Sequence, residues 1–80
     1  MWKWTKIGGS PRETLWGLEA WIDGSFRRFG TVKHLHGSDQ WVATTIIGSK
    51  GGGGTAREAF MLAGACLSGI SGLCEPKDET

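Results

Sequence analysis

The sequence predicts an α+β protein in which a three-stranded antiparallel β-meander packs against one C-terminal α-helix. Three observations predict this fold: apolar and polar residues alternate along strand-like segments, tight-turn residues separate those segments, and a later segment carries apolar residues at helical spacing. With 80 residues and 39% hydrophobic content, the chain has material for a single core. We therefore expect one small domain that spans residues 1–80.

The first two strands are predicted to form a hairpin. In residues 14–22 the apolar side chains alternate at period two, and Asp23-Gly24 is a typical tight-turn dipeptide. The second strand, residues 25–35, changes the parity of its apolar positions around Gly30, which is where a β-bulge is expected. The alternating face of the first strand consists of Trp16, Leu18, Ala20 and Ile22.

A third strand completes the predicted meander, which covers residues 13–47. The turn residues His36-Gly37-Ser38-Asp39 precede it, and residues 40–47 then alternate again. The side chains on its apolar face are Trp41, Ala43, Thr45 and Ile47. We expect Trp16 and Trp41 to pack in the core, because each lies on the apolar face of its strand.

The segments on either side of the meander look irregular. Residues 1–12 are predicted to be an N-terminal arm, because Gly8-Gly9-Ser10-Pro11 interrupts any regular element. Residues 48–54 are predicted to be a flexible linker. The glycines of that linker do not form a Walker phosphate loop, since Lys50 precedes them and no Gly-Lys-Ser/Thr follows.

The helix is predicted over residues 55–74, followed by an acidic tail at residues 75–80. Thr55 and Glu58 have the capping-box spacing, and apolar residues then recur every three to four positions. No charged residue occurs between Glu58 and Glu75, so the outward side of the helix is also uncharged. This side either binds a partner, which could be a second copy of the chain, or lies under the N-terminal arm. It is too short and too rich in glycine and serine for a membrane span.

The cysteines and histidines do not form a catalytic or metal-binding pattern. Cys66 and Cys74 would lie about 12 Å apart along the predicted helix, which is beyond the reach of a disulfide. We expect reduced thiols in a cytoplasmic protein, because the N-terminus also shows no secretory signal. The spacing of these thiols relative to His34 and His36 does not suit zinc. The sequence thus predicts no enzymatic activity, no catalytic residue, no metal and no cofactor.

Candidate binding residues cluster on the second strand and among the tryptophans. Basic side chains beside aromatic ones can contact phosphates and bases, but a regular strand would divide these between its two faces. The net charge of +1 also lacks the basic excess of a dedicated nucleic-acid binder. Five tryptophans exceed what this small core needs, and tryptophan is common in binding hot spots. The predicted partner-binding residues are Trp2, Trp4, Trp21, Arg27, Arg28, Lys33, His34 and His36.

The pattern Gly30-Thr-Val, Trp41-Val-Ala and Thr55-Ala-Arg-Glu-Ala resembles two groups of proteins. One is the AP2 and integrase-arm DNA-binding domains, which read DNA with a three-stranded sheet. The other is a set of small phage and prophage proteins, some of which inhibit host defence systems. A glycine-rich segment stands where AP2-like domains carry Leu-Gly-x-Phe, so the phage-type proteins are the closer resemblance.

The resemblance implies a stoichiometric binder of the anti-CRISPR type. We therefore expect a non-enzymatic inhibitor that binds a protein complex of host defence, which could itself be a complex that binds nucleic acid. The alternative is a DNA-binding module that uses Arg27, Arg28 and Lys33 on the sheet. A homodimer through the helix is compatible with either hypothesis.

Overall fold

The computed structural model describes residues 2–64 and 75–76 and shows an α+β fold. Its strands form one antiparallel sheet in the order β1-β2-β3-β4-β5, so each strand pairs with its neighbour in the sequence. The α+β class is confirmed, but the prediction of three strands was too low, because two further strands flank the predicted meander. The elements are β1 (Trp2–Gly9), β2 (Glu13–Ile22), β3 (Ser25–Leu35), β4 (Gln40–Thr45), β5 (Lys50–Gly53) and α1 (Ala56–Leu62).

The predicted N-terminal arm is largely the edge strand β1. Of the breaker residues, Gly8 and Gly9 end β1, and Ser10 and Pro11 belong to the loop of the β1–β2 hairpin, where the Ser10 amide donates to the Glu13 carbonyl at 2.7 Å. The Ser10 hydroxyl oxygen also accepts hydrogen bonds from the amides of Arg12 and Glu13. These local bonds satisfy the loop backbone, so the chain reverses at Ser10 and Pro11 and the strand before them joins the sheet.

The predicted glycine linker contains the edge strand β5. Its glycines allow α1 to lie directly on the strand: a Cβ at Gly51 would stand 2.6 Å from the Ala59 carbonyl oxygen, and one at Gly53 would stand 2.8 Å from Cγ of Glu58. Contacts this short do not occur for real side chains, so only glycine permits this helix position. The prediction of a flexible linker was therefore wrong for residues 50–53.

The β2–β3 hairpin follows the sequence prediction closely. Asp23 and Gly24 both have positive φ, 49° and 84°, as expected for a two-residue turn that matches strand twist. The register between β2 and β3 then shifts by one residue: Leu18 pairs with Gly30, whereas Glu19 pairs with Arg28. Phe29 is the additional residue, which confirms a bulge next to Gly30. The alternation of faces along β3 therefore changes phase at the bulge, so that Arg28 and Lys33 lie on the same face although five positions separate them in the sequence.

Helix α1 begins as the capping pattern predicts and ends earlier than predicted. The Thr55 hydroxyl oxygen accepts from the Glu58 amide at 3.1 Å, and the Glu75 carboxylate accepts from the Arg57 amide at 3.3 Å. The helix ends at Leu62, and Gly64 has a φ of 85°. The helix therefore does not continue unbroken to residue 74. Residues 65–74, with both cysteines, and residues 77–80 of the predicted tail lie outside the described residues.

One hydrophobic core joins the sheet to α1. Trp16 and Trp41 are buried, as predicted, and the largest fully buried side chains are Phe60, Leu18 and Val32. We call the side of the sheet that carries these residues the covered face, because α1 packs on it, and the other side the outer face. Within the described residues, no helix has the length and apolar character needed to cross a lipid bilayer.

Candidate binding surface

An aromatic pair stands on the outer face near the turn of the β2–β3 hairpin. Trp21 and Phe26 are cross-strand partners whose ring centroids lie 4.8 Å apart at 75°, an edge-to-face contact. The Lys3 ammonium lies 3.9 Å from the centroid of the Phe26 ring, so it adds a cation–π contact. Trp21 nevertheless remains 52% exposed. The pair is thus held in position by its neighbours while about half of Trp21 stays accessible.

Glu19 is the centre of the charged network beside the aromatic pair. The Thr5 hydroxyl donates to Glu19 Oε1 at 2.7 Å, the Arg28 guanidinium lies 3.3 Å from Oε2, and the Lys3 ammonium lies 3.9 Å from Oε1. The Thr5 hydrogen bond, assisted by the two cations and opposed by desolvation, lowers the pKa of Glu19 below its ordinary value of 4.5. Glu19 is therefore ionised at neutral pH, and its single negative charge is shared between the two neighbouring cations.

A depression of about 310 Å³ opens on the outer face between β2, β3, β4 and β5. Thr31 and Thr44 are cross-strand partners at its middle, and Lys50 is the partner of Thr44 on β5. The Lys33 ammonium lies 3.6 Å from a Glu13 carboxylate oxygen. The depression therefore combines hydroxyls and ammonium groups with aliphatic side chains. Its lining consists of Leu15, Thr31, Lys33, Val42, Thr44 and Lys50.

The bulge decides which of the predicted arginines belongs to the outer face. Arg28 pairs with Glu19 and therefore lies on the same face as Lys33, which pairs with Leu15. Arg27 pairs with the buried Ala20 and lies on the other side. A regular strand would have grouped Arg27 with Lys33 instead, so the structure reverses the division expected from the sequence.

Trp2 and Trp4 lie on the covered face, away from Trp21. Both are half-buried and pack against the core, where Trp2 contacts Phe29 at 4.9 Å and Trp4 contacts Phe60 at 5.9 Å between ring centroids. Their place at the core margin explains how a domain this small accommodates five tryptophans. Of the three tryptophans predicted to bind a partner, Trp21 is the one that the structure places on the outer face.

The two histidines come together at the far end of β3. His34 stacks on Trp41 at 4.0 Å between centroids, and its Nε2 lies 2.7 Å from an Asp39 carboxylate oxygen. His36 Nδ1 donates to the Pro11 carbonyl at 3.1 Å, while its Nε2 lies 2.7 Å from the Thr14 hydroxyl. Both rings are thus engaged within the chain.

No group of three or more His, Cys, Asp or Glu side chains among the described residues could hold a metal ion.

The exposed side of α1 carries Met61 and Leu62, which are 66% and 63% exposed. They belong to the uncharged side of the helix, which was predicted to bind a partner or to lie under the N-terminal arm. The arm does not cover these two residues, because β1 is in the sheet and they remain exposed.

Sequence reasoning missed Lys3, Thr31, Thr44 and Lys50 as members of the outer face. The available signal was the alternation of polar residues along the strands, which places Thr31 with Lys33 and Val42 with Thr44. Lys50 could not be predicted as a member of the outer face, because its position depends on β5. The glycines of β5 show no alternation of side chains that would predict a strand.

These features together define a sheet that uses one face for its core and presents aromatic and charged side chains on the other. No protein-family model matches the chain, and neither a curated protein nor a solved structure matches it.

Proposed function

We propose that this protein is a non-enzymatic binding protein that recognises another protein through the outer face of its sheet. The observation that carries the proposal is the position of Trp21, which is 52% exposed yet fixed by Phe26. Binding hot spots are enriched in tryptophan. A side chain that is already held in place loses little conformational entropy when it is buried by a partner.

The charges of the outer face favour a protein partner over nucleic acid. Lys3, Arg28 and Lys33 each lie within 4.0 Å of a glutamate carboxylate. Binding to a phosphate backbone depends on cations that replace condensed counterions, and cations whose charge is partly offset by carboxylates contribute less to it. Mixed charges around an aromatic anchor are instead typical of the polar rim of a protein interface.

The particular role within this proposal is that of a stoichiometric inhibitor of a host defence complex. The resemblance to small phage and prophage proteins supports this role, and an exposed outer face is compatible with it. An inhibitor of this kind acts by occupying a functional surface of its target, so it needs an anchor and a rim but no reactive group.

The second candidate is a DNA-binding module that reads DNA with its sheet. The specific observation in its favour is that the bulge at Phe29 brings Arg28 and Lys33 to the same face. Two cations on one sheet face could contact adjacent phosphates, and the affinity would then fall steeply with salt.

Affinity capture from a bacterial lysate, with and without nuclease treatment, at low salt and at about 0.5 M salt, separates the two candidates. The wild-type chain is compared with Trp21→Ala and with the control Ile47→Ala, which removes a side chain that is 87% exposed in the β4–β5 turn. We expect a discrete protein complex that withstands both salt conditions, persists with Ile47→Ala and falls at least about tenfold with Trp21→Ala. Recovery of nucleic acid alone, lost after nuclease treatment or at high salt, would contradict the proposal and support the DNA-binding candidate.

A further inference from the structure

The depression on the outer face contains hydrogen-bond donors that nothing in the described part of the chain satisfies. Among the described residues, the hydroxyls of Thr31 and Thr44 have no side-chain hydrogen-bond partner, and the Lys50 ammonium has no carboxylate within 4.0 Å. Three donor groups thus surround one cavity of about 310 Å³. Donors arranged in this way are suited to an acceptor from outside the chain.

The net positive charge at the depression suits a ligand with a single negative charge. The Lys33 ammonium is shared with Glu13, which lies 3.6 Å away, whereas no carboxylate of a described residue compensates Lys50. One uncompensated cation matches a monovalent carboxylate better than it matches a phosphate dianion or a run of phosphates. The two threonine hydroxyls can donate to the oxygens of the same carboxylate.

The apolar part of the lining indicates what carries that carboxylate. Leu15 and Val42 contribute aliphatic surface beside the hydroxyls. A glutamate or aspartate side chain brings methylene groups together with its charge, so it can contact both kinds of lining at once. A phosphodiester has no such apolar stem.

We propose that the depression between Lys33 and Lys50 binds an acidic side chain of the protein partner. This inference rests on the proposed function, because the depression and Trp21 belong to the same outer face. Trp21 lies six positions after Leu15 along β2, which corresponds to about 20 Å at ~3.4 Å per residue. A partner segment in extended conformation can therefore reach both places, and each place can be tested by itself.

The test uses the full chain and a synthetic twelve-residue peptide of alternating glutamate and valine. Amide and side-chain NMR shifts are followed during titration with this peptide, with its glutamine counterpart and with a single-stranded DNA of the same length. We expect the glutamate peptide to shift the signals of Thr31, Val42, Thr44 and Lys50. The glutamine peptide should bind at least about tenfold more weakly, since an ionised acceptor roughly doubles the strength of a hydrogen bond.

Two variants that each remove one positive charge show where the glutamate peptide binds. Lys50→Gln should weaken binding of the glutamate peptide about tenfold, whereas Arg27→Gln removes a cation from the other side of the sheet and should leave the binding unchanged. Equal weakening by both variants, or absence of localised shifts, would overturn the inference. Tighter binding of the DNA at the same residues would overturn it as well.

The two proposals fail in different ways. If Trp21→Ala abolishes capture of the partner while Lys50→Gln changes neither capture nor peptide binding, the acidic-residue site is wrong and the proposed function stands. If the glutamate peptide binds at Lys50 but no protein is captured through Trp21, the site stands without the proposed partner surface.

Discussion

The substitution Gly51→Ala tests directly whether the glycines of β5 exist to let α1 approach the sheet. An added Cβ would stand 2.6 Å from both the Ala59 carbonyl oxygen and the Leu62 carbonyl carbon. Both atoms belong to the helix backbone and cannot rotate away, so α1 as a whole must move. Overpacking of this kind typically destabilises by about 1–3 kcal/mol, and backbone contacts place this case at about 2–3 kcal/mol.

That loss is large for a chain of this length. A domain of this size has a free energy of unfolding of roughly 4–12 kcal/mol, and its melting temperature should fall by roughly 10–20 °C. The neighbouring substitution Gly52→Ala is the matched control, because the nearest atom to its added Cβ is the Trp41 carbonyl oxygen at 3.5 Å, an ordinary contact. It should change stability by less than about 1 kcal/mol.

Urea unfolding followed by tryptophan fluorescence, together with thermal unfolding by circular dichroism, measures both variants. Equal destabilisation by Gly51→Ala and Gly52→Ala would refute the reasoning, since it would mean that loss of glycine, rather than the contact with α1, sets the effect. An unchanged Gly51→Ala protein would show that α1 does not lie on β5 as described.

Two further predictions concern the charged contacts. Because the pKa of Glu19 is lowered in the folded state, its stabilising contribution is present above the ordinary value of 4.5 and is lost as the pH falls through the lower folded value. Thr5→Val removes the largest cause and should raise the pKa of Glu19 toward 4.5 in a carboxyl NMR titration, whereas an unchanged value would contradict that assignment. Glu75→Gln leaves the start of α1 without its anion and should lower the free energy of unfolding by about 1 kcal/mol in low salt and by less in high salt. A loss that is independent of salt would argue against an electrostatic role.

The sequence predicts the centre of this fold well, because its signals there are local. Side chains that alternate at period two and the Asp23-Gly24 turn define the β2–β3 hairpin, and Thr55 marks the start of α1. The edge strands are harder to predict. Gly8 and Gly9 at the end of β1, with Pro11 after it, look like an interruption until the hairpin is known, and the three glycines of β5 have no side chains from which a period could be deduced.

The candidate site is predictable only in part, since its composition depends on strand register. The sequence identifies Trp21, Arg28 and Lys33 as candidates, but the bulge decides which arginine joins the lysine. Lys50 and the two threonines come together through β3–β4 and β4–β5 pairing, and register of this kind is set by turns and packing rather than by any single segment.

The order of the strands in the sheet has a consequence for how the chain folds. Since each of the five strands in the described part of the chain pairs with its sequence neighbour, each pairing closes a short loop, and the entropy lost in closing short loops is small. We expect the β2–β3 hairpin, with its two-residue turn, to form first and the edge strands to join it afterwards. Substitutions at Asp23 or Gly24 should then slow folding, whereas Gly51→Ala should mainly accelerate unfolding, and stopped-flow fluorescence can compare the two rates.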